Sequence, residues 1–134
     1  MKMEFMNFKI ESEFKGDKLS PWSDAKYKNY NNHIIKVYNK ITKKRISFEF
    51  WESIEITTED QLLNAFECLI SDAISGNQNE TFEEFCQEFG YDEDSRQAEK
   101  TYKECKKSYD KIKRISDIDI YDLYEALQIE QGNF

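Results

Sequence analysis

The sequence predicts an α+β domain: an antiparallel sheet of about three strands, followed by three to four helices packed on one face of it. Two observations carry that prediction. Apolar side chains alternate with polar ones through the first third of the chain, and after residue 56 their period lengthens to about 3.6 residues. Composition agrees. The chain has 134 residues, with 10 Phe and 8 Tyr among them, so it holds enough bulky apolar surface for a core despite 34% charged residues. Residues 1–134 are expected to form a single domain, with a β-rich basic part (1–56) and a helical, largely acidic part (57–134).

The first strand is expected in "FKIESEF". There Phe8, Ile10 and Phe14 share one face with Ser12, while Lys9, Glu11 and Glu13 share the other. "HIIKVYN" and "RISFEFW" repeat the alternation: Ile35 and Val37 against Lys36 and Tyr38, then Ile46, Phe48 and Phe50 against Ser47 and Glu49. The polar "NKITKK" between them suits a hairpin loop, although it lacks an Asn-Gly turn signal. Residues 15–32 contain a Gly, the single Pro and several Asn, and read as a long loop with a short helical turn after Pro21.

The first helix opens at Thr58, with Gln61 three residues on in a capping-box pattern. Leu62, Phe66, Leu69 and Ala73 form its stripe, widened by Leu63, Ile70 and Ile74, and Gly76 is the expected stop. Thr81 with Glu84 repeats the capping box, and Gly90 ends that second helix. A third helix starts near Asp94 or Ser95 and runs to about Arg114, with Ala98, Tyr102, Cys105, Tyr109 and Ile112 on one face. A fourth follows Ser116, with Ile120, Leu123, Tyr124 and Leu127 inward.

Charge is arranged in blocks. Residues 1–47 carry a net +6, residues 48–95 a net -14 with no Lys or Arg at all, residues 96–114 a net +5, and residues 115–134 a net -5; together they give the chain's -8. An acidic chain is a poor generic ligand for nucleic acid. No apolar run of 18 residues exists, so no membrane span is expected, and "MKMEFMNFKIESEF" is too charged for a signal peptide. A cytoplasmic location is expected.

Metal and catalytic chemistry find little support. Cys68, Cys86, Cys105 and the lone His33 make neither a CxxC nor an HxxxH pair, and "DEDS" is too short a ligand series for an EF-hand. The three cysteines read as reduced core thiols. None is embedded in a nucleophile elbow or paired with His33 through an orienting third residue, and there is no P-loop or GxGxxG. No cofactor, no metal and no turnover are expected.

Two charged regions remain as candidate interfaces. Glu80, Glu83, Glu84, Glu88, Asp92, Glu93 and Asp94 form the densest part of the acidic block. In "GYDEDSRQAEK" the acids also have a local explanation, since they precede a helix N-terminus, and Arg96 has Glu93 and Glu99 in reach. Acidic helices normally intersperse lysines, however, and 14 unrelieved carboxylates repel one another. Fourteen charges match roughly 24 Å of B-DNA, and a helix of about 17 residues spans about 25 Å. The alternatives are a duplex-imitating face and a merely solvated one. The second region is basic: Lys36, Lys40, Lys43, Lys44 and Arg45 cluster around the hairpin with Tyr27, Tyr30 and Tyr38 near in sequence. Bases with aromatics suit single-stranded nucleic acid, and lysines equally protect an edge strand. Meeting of acidic and basic faces from two copies would give a homodimer.

The string Phe82, Phe85, Phe89, Gly90, Tyr91, Asp94, Ser95, Arg96, Ala98, Glu99, Tyr102 and Cys105, preceded by a hairpin and "LISDA", resembles a family of small phage and mobile-element proteins without an assigned function. The resemblance spans roughly residues 33–115 and brings no catalytic residues with it. It implies a phage setting, in which small acidic proteins often disarm host nucleic-acid enzymes; anti-CRISPR proteins are one such class. The expectation is therefore a non-enzymatic inhibitor that acts in the host cytoplasm. Its acidic face would engage a host nucleic-acid-binding protein, and an RNA-guided nuclease is the expected partner. The alternative is a nucleic-acid-binding accessory protein that uses the basic hairpin.

Overall fold

A computed structural model describes residues 1–17, 31–52 and 55–132. It is an α+β arrangement: a four-stranded antiparallel sheet, order β1-β2-β3-β4, followed by four helices. The strands are β1 (Lys2–Phe5), β2 (Phe8–Asp17), β3 (Asn31–Asn39) and β4 (Arg45–Glu52). The helices are α1 (Glu59–Gln78), α2 (Phe82–Phe89), α3 (Arg96–Ile115) and α4 (Ile120–Glu130). The chain divides into two compact units, Met1–Glu67 and Cys68–Phe134, and the division falls inside α1.

In the first unit the alternation sets the register. Ile10 stands opposite Val37, and Val37 opposite Ile46, so three buried side chains line up across β2, β3 and β4. Phe8 lies under them, with its ring 5.2 Å from that of Phe66 in the first half of α1. Each such fully buried side chain contributes about 1.5–3 kcal/mol of transfer free energy. β1 extends the three strands read from the sequence. Its pairing places Phe5 opposite Phe8, and the connecting turn puts Met6 at φ 51, a left-handed conformation that Met rarely advertises. Phe14, expected inside, is 46% exposed; the register shifts between Phe14 and Gly16, and the ring rests on His33 instead.

The β3–β4 hairpin works without Asn-Gly. The Asn39 carboxamide oxygen accepts from the amides of Ile41 (2.8 Å) and Thr42 (3.2 Å), and Lys43 takes the left-handed position at φ 62. The loop expected over residues 15–32 is shorter at both ends, since β2 continues through Lys15, Gly16 and Asp17 and β3 begins at Asn31; the rest of it, with the helical turn after Pro21, lies outside the described residues.

The helix starts follow the caps. Thr58 Oγ1 accepts from the Gln61 amide at 3.2 Å, and Gln61 Oε1 accepts from the amides of Thr58 (3.1 Å) and Thr57 (2.7 Å), so both halves of the capping box form. At α2, Thr81 Oγ1 accepts from the Glu84 amide while Glu84 reaches the amide of Glu80 rather than that of Thr81. Gly90, at φ 71, closes α2, and Ser95 caps α3. Asp119, not Ser116, caps α4; Ser116 terminates α3.

Gly76 does not stop α1, which continues to Gln78. It is buried, and a Cβ there would meet the Cys105 carbonyl oxygen at 2.3 Å. Glycine is needed for close passage of α1 and α3, within the second unit. Cys86 and Cys105 are buried as expected, whereas Cys68 is exposed. It lies two residues, about 200°, from Phe66 and so off the apolar stripe.

Candidate functional site

The seven acidic candidates all belong to the second unit and form one continuous stretch: the α1–α2 connection, α2, and the turn into α3. All seven are exposed. Among the described residues none of them makes an ion pair. Two acids of α3 outside the group do pair, Glu99 with Lys103 at 3.1 Å and Glu104 with Lys107 at 3.4 Å, whereas among the described residues Glu59, Asp60 and Asp72 of α1 make no ion pair either. Arg96, expected near Glu99 or Glu93, is not in an ion pair with either, and Glu99 turns to Lys103.

The seven are not equivalent. Glu84 accepts from the Glu80 amide at 3.1 Å, Glu88 accepts from the carboxamide of the buried Asn79, and Asp92 accepts from the Asp94 amide at 3.2 Å. These three hold local structure as well as charge. Glu83, Glu93 and Asp94 present carboxylates to solvent. Only Glu83, Glu84 and Glu88 lie on a helix, and the other four stand in the flanking turns. α2 has eight residues and is about 12 Å long, roughly three to four nucleotide rises.

Aromatic packing places this stretch. Phe85 is 1% exposed and touches three rings: Phe89 (centroids 4.9 Å apart), Tyr102 (5.3 Å) and Tyr91 (5.8 Å, stacked). Phe82 leans on Tyr102 at 5.7 Å. The Tyr102 hydroxyl donates to the backbone carbonyls of Glu80 (2.9 Å) and Asn79 (3.3 Å), which anchors the connection to α3. Tyr102 is thus half-buried on the inner face of α3, with its polar tip satisfied.

The basic candidates lie in the first unit, and several have partners. Lys36 pairs with Glu13 and Lys40 with Glu4, each at 3.4 Å, and the Arg45 guanidinium lies 5.4 Å from the Tyr38 ring centre. Lys43 and Lys44 sit exposed in the hairpin turn. Tyr27 and Tyr30 lie outside the described residues. Local neutralisation of this kind disfavours a waiting phosphate site, but the edge-protection reading does not fit Lys36 either, because β3 is an inner strand paired on both sides and only Arg45 begins the edge strand β4.

Cys86, Cys105 and His33 are poorly placed for catalysis. Burial pushes the Cys105 thiol up to about 12, with the carboxylates of Asp72, Glu104 and Glu88 adding to the effect. Burial, with Glu93 and Asp92, likewise raises Cys86. A thiol held protonated is a weak nucleophile and a weak metal ligand. His33 is 1% exposed, its Nε2 accepts from the Ile56 amide at 3.2 Å, and burial lowers its pKa. That lone pair is already engaged, which excludes it from duty as a base in the neutral ring. Among the described residues no group of three or more His, Cys, Asp and Glu is arranged to hold a metal ion, and no helix is long and apolar enough to cross a membrane.

A small cleft of about 170 Å³ opens beside the start of α4, lined by Asn77, Tyr109, Lys113, Asp119 and Tyr121 among others. Tyr121 accepts there from Asn77 at 3.1 Å, and Lys113 lies over the Tyr109 ring. Its volume is below the usual few hundred Å³ of a small-molecule site.

Sequence reasoning named the carboxylates but passed over Phe89 and Tyr91 as surface groups. They are 47% and 41% exposed. The available signal was Gly90 between them, since a left-handed residue there turns the two flanking rings onto the same support. No family model, no curated protein and no solved structure matches the chain.

Proposed function

We propose that this protein is a non-enzymatic inhibitor that presents a compact acidic surface to the nucleic-acid groove of another protein. The observation that carries this reading is the set of seven exposed carboxylates on α2 and its flanking turns, with no ion pair among the described residues. Such a group costs stability through self-repulsion, and a cationic partner relieves it. The helical part of this surface, α2, is about 12 Å long and matches a few nucleotide steps, so it suits the place where a protein reads a short duplex motif better than a long duplex channel. An RNA-guided nuclease, whose arginines read such a motif, is the partner class we favour, and a phage-encoded, anti-CRISPR-like role in the host cytoplasm is the setting.

The test is charge reversal at carboxylates that accept none of the local hydrogen bonds described above. Glu83→Lys, Glu93→Lys and Asp94→Lys together should abolish inhibition of a susceptible nuclease with the thermal transition retained. Raising salt should weaken the wild-type complex, because exposed pairs are screened beyond about 8 Å at physiological ionic strength. An inhibitor that works equally well after reversal acts through some other surface. A tight gel shift of DNA or RNA by the protein alone, removed by neutralising Lys43 and Lys44, would replace the decoy reading with an accessory nucleic-acid-binding role.

A further inference from the structure

The carboxylates do not stand alone. Phe89 is the last residue of α2 and Tyr91 follows Gly90, whose left-handed conformation folds the chain back so that both rings lean on Phe85. Phe85 is buried while its two neighbours are 47% and 41% exposed. The result is a pair of exposed rings on one rigid support, at the C-terminal end of a helix that has no basic residue in its last turn. Glu88, Asp92 and Glu93 flank the rings in sequence and are exposed.

Three fields of the same sign meet at this point. The carbonyl end of α2 is negative, the flanking carboxylates are negative, and the face of an aromatic ring is the negative pole of its quadrupole. All three favour a cation. The protein's own cations show the preference elsewhere: Arg45 lies over Tyr38, Lys106 over Tyr102 and Lys113 over Tyr109. Among the described residues no cation lies over Phe89 or Tyr91. A nucleobase could stack on such rings, but its phosphate would then face the carboxylates, so single-stranded nucleic acid is disfavoured.

We propose that Phe89 and Tyr91 form an anchor for an arginine side chain of a partner protein, the guanidinium stacking on the rings while its N–H groups donate to the flanking carboxylates. Arginine suits the place better than lysine. Its planar, weakly hydrated cation stacks and forks at once, whereas an ammonium is a compact and strongly hydrated point charge. This inference rests on the acidic-surface reading and adds to it a recognition element that salt screens less.

The probes are nona-arginine and nona-lysine peptides, titrated calorimetrically into the full-length protein at low and high salt. Nona-arginine should bind about fivefold more tightly than nona-lysine, and the difference should persist at high salt. Phe89→Leu with Tyr91→Leu keeps the apolar bulk and removes the ring faces, so it should remove most of the arginine advantage and weaken lysine binding much less. Phe89→Ala alone should give a partial loss, with the thermal transition as a check on folding. Equal binding of the two peptides by the wild-type protein, both lost in Glu83→Lys/Glu93→Lys/Asp94→Lys, would overturn the anchor and leave the acidic surface standing. Failure of the wild-type protein to bind either peptide would overturn both. Sedimentation showing a dimer that the leucine substitutions dissociate would assign the rings to a second copy and overturn the arginine anchor.

Discussion

A Cβ at Gly76 would stand 2.3 Å from the carbonyl oxygen of Cys105 and 2.7 Å from its carbonyl carbon. Both obstacles are backbone, so no side chain can swing away to make room. α1 and α3 therefore meet within the second unit over a glycine, and the contact fixes how near they run.

Gly76→Ala should destabilise the protein. Alanine in a helix interior gains about 1 kcal/mol over glycine, but overpacking costs about 1–3 kcal/mol and here the clash is with main chain. A net loss of about 1–2 kcal/mol in urea denaturation is expected. A stabilised Gly76→Ala protein would mean that the two helices separate freely at this point.

Tyr102 joins the aromatic cluster to the α1–α2 connection through its hydroxyl. Tyr102→Phe should cost about 1 kcal/mol, the usual net worth of one hydrogen bond. Tyr102→Ala should cost about 3 kcal/mol, because the supports of Phe82 and Phe85 go with it. Equal losses for the two variants would show that the ring contributes no packing.

The His33 ring is neutral and its Nε2 lone pair is held by the Ile56 amide. Burial lowers its pKa below 6.5 in the native state, so the unfolded chain binds the proton more readily. Its contribution is fully present above about pH 6.5 and declines as pH falls from there toward the native value. Urea midpoints measured from pH 8 to pH 5 should drop in the wild-type protein and drop less in His33→Gln. Parallel profiles would remove His33 from the acid response.

Asp72 has the opposite sign. It is exposed by surface area, yet the protein around its carboxyl together with Glu104 pushes it up to about 6. The native state then holds the proton more tightly than the unfolded chain, whose value is near 3.8. Stability from this group is fully present below about 3.8 and lost as pH rises through about 6. Asp72→Asn should therefore be more stable than wild type at pH 7 and lose that advantage near pH 4. Solvent screening keeps the gain small. No difference at pH 7 would mean that water fully solvates the carboxylate.

Local rules were readable directly. The capping box of Thr58 with Gln61, the Thr81 cap on the Glu84 amide, the stop at Gly90 and the cap at Ser95 each involve residues within four positions, so their hydrogen bonds depend on little beyond the segment itself. The alternation of Ile10, Val37 and Ile46 was equally plain, because a one-residue slip would turn every apolar side chain to water. β1 was missed for the converse reason: its turn at Met6 and Asn7 carries no glycine.

The sequence by itself determined the sheet-then-helix order, the helix starts and the base-free acidic stretch, since each follows from spacing along the chain. Only the tertiary structure decided the rest. Gly76 carries the signature of a stop until the Cys105 carbonyl is seen beside it. Glu84, Glu88 and Asp92 are indistinguishable from Glu83, Glu93 and Asp94 as letters, and separate only when their hydrogen-bond donors are placed. Phe89 and Tyr91 carry no mark of exposure as letters, and the structure shows both rings leaning on Phe85, which takes the buried place. Burial is a competition among side chains for one interior, and its outcome is set by contacts that the order of residues does not state.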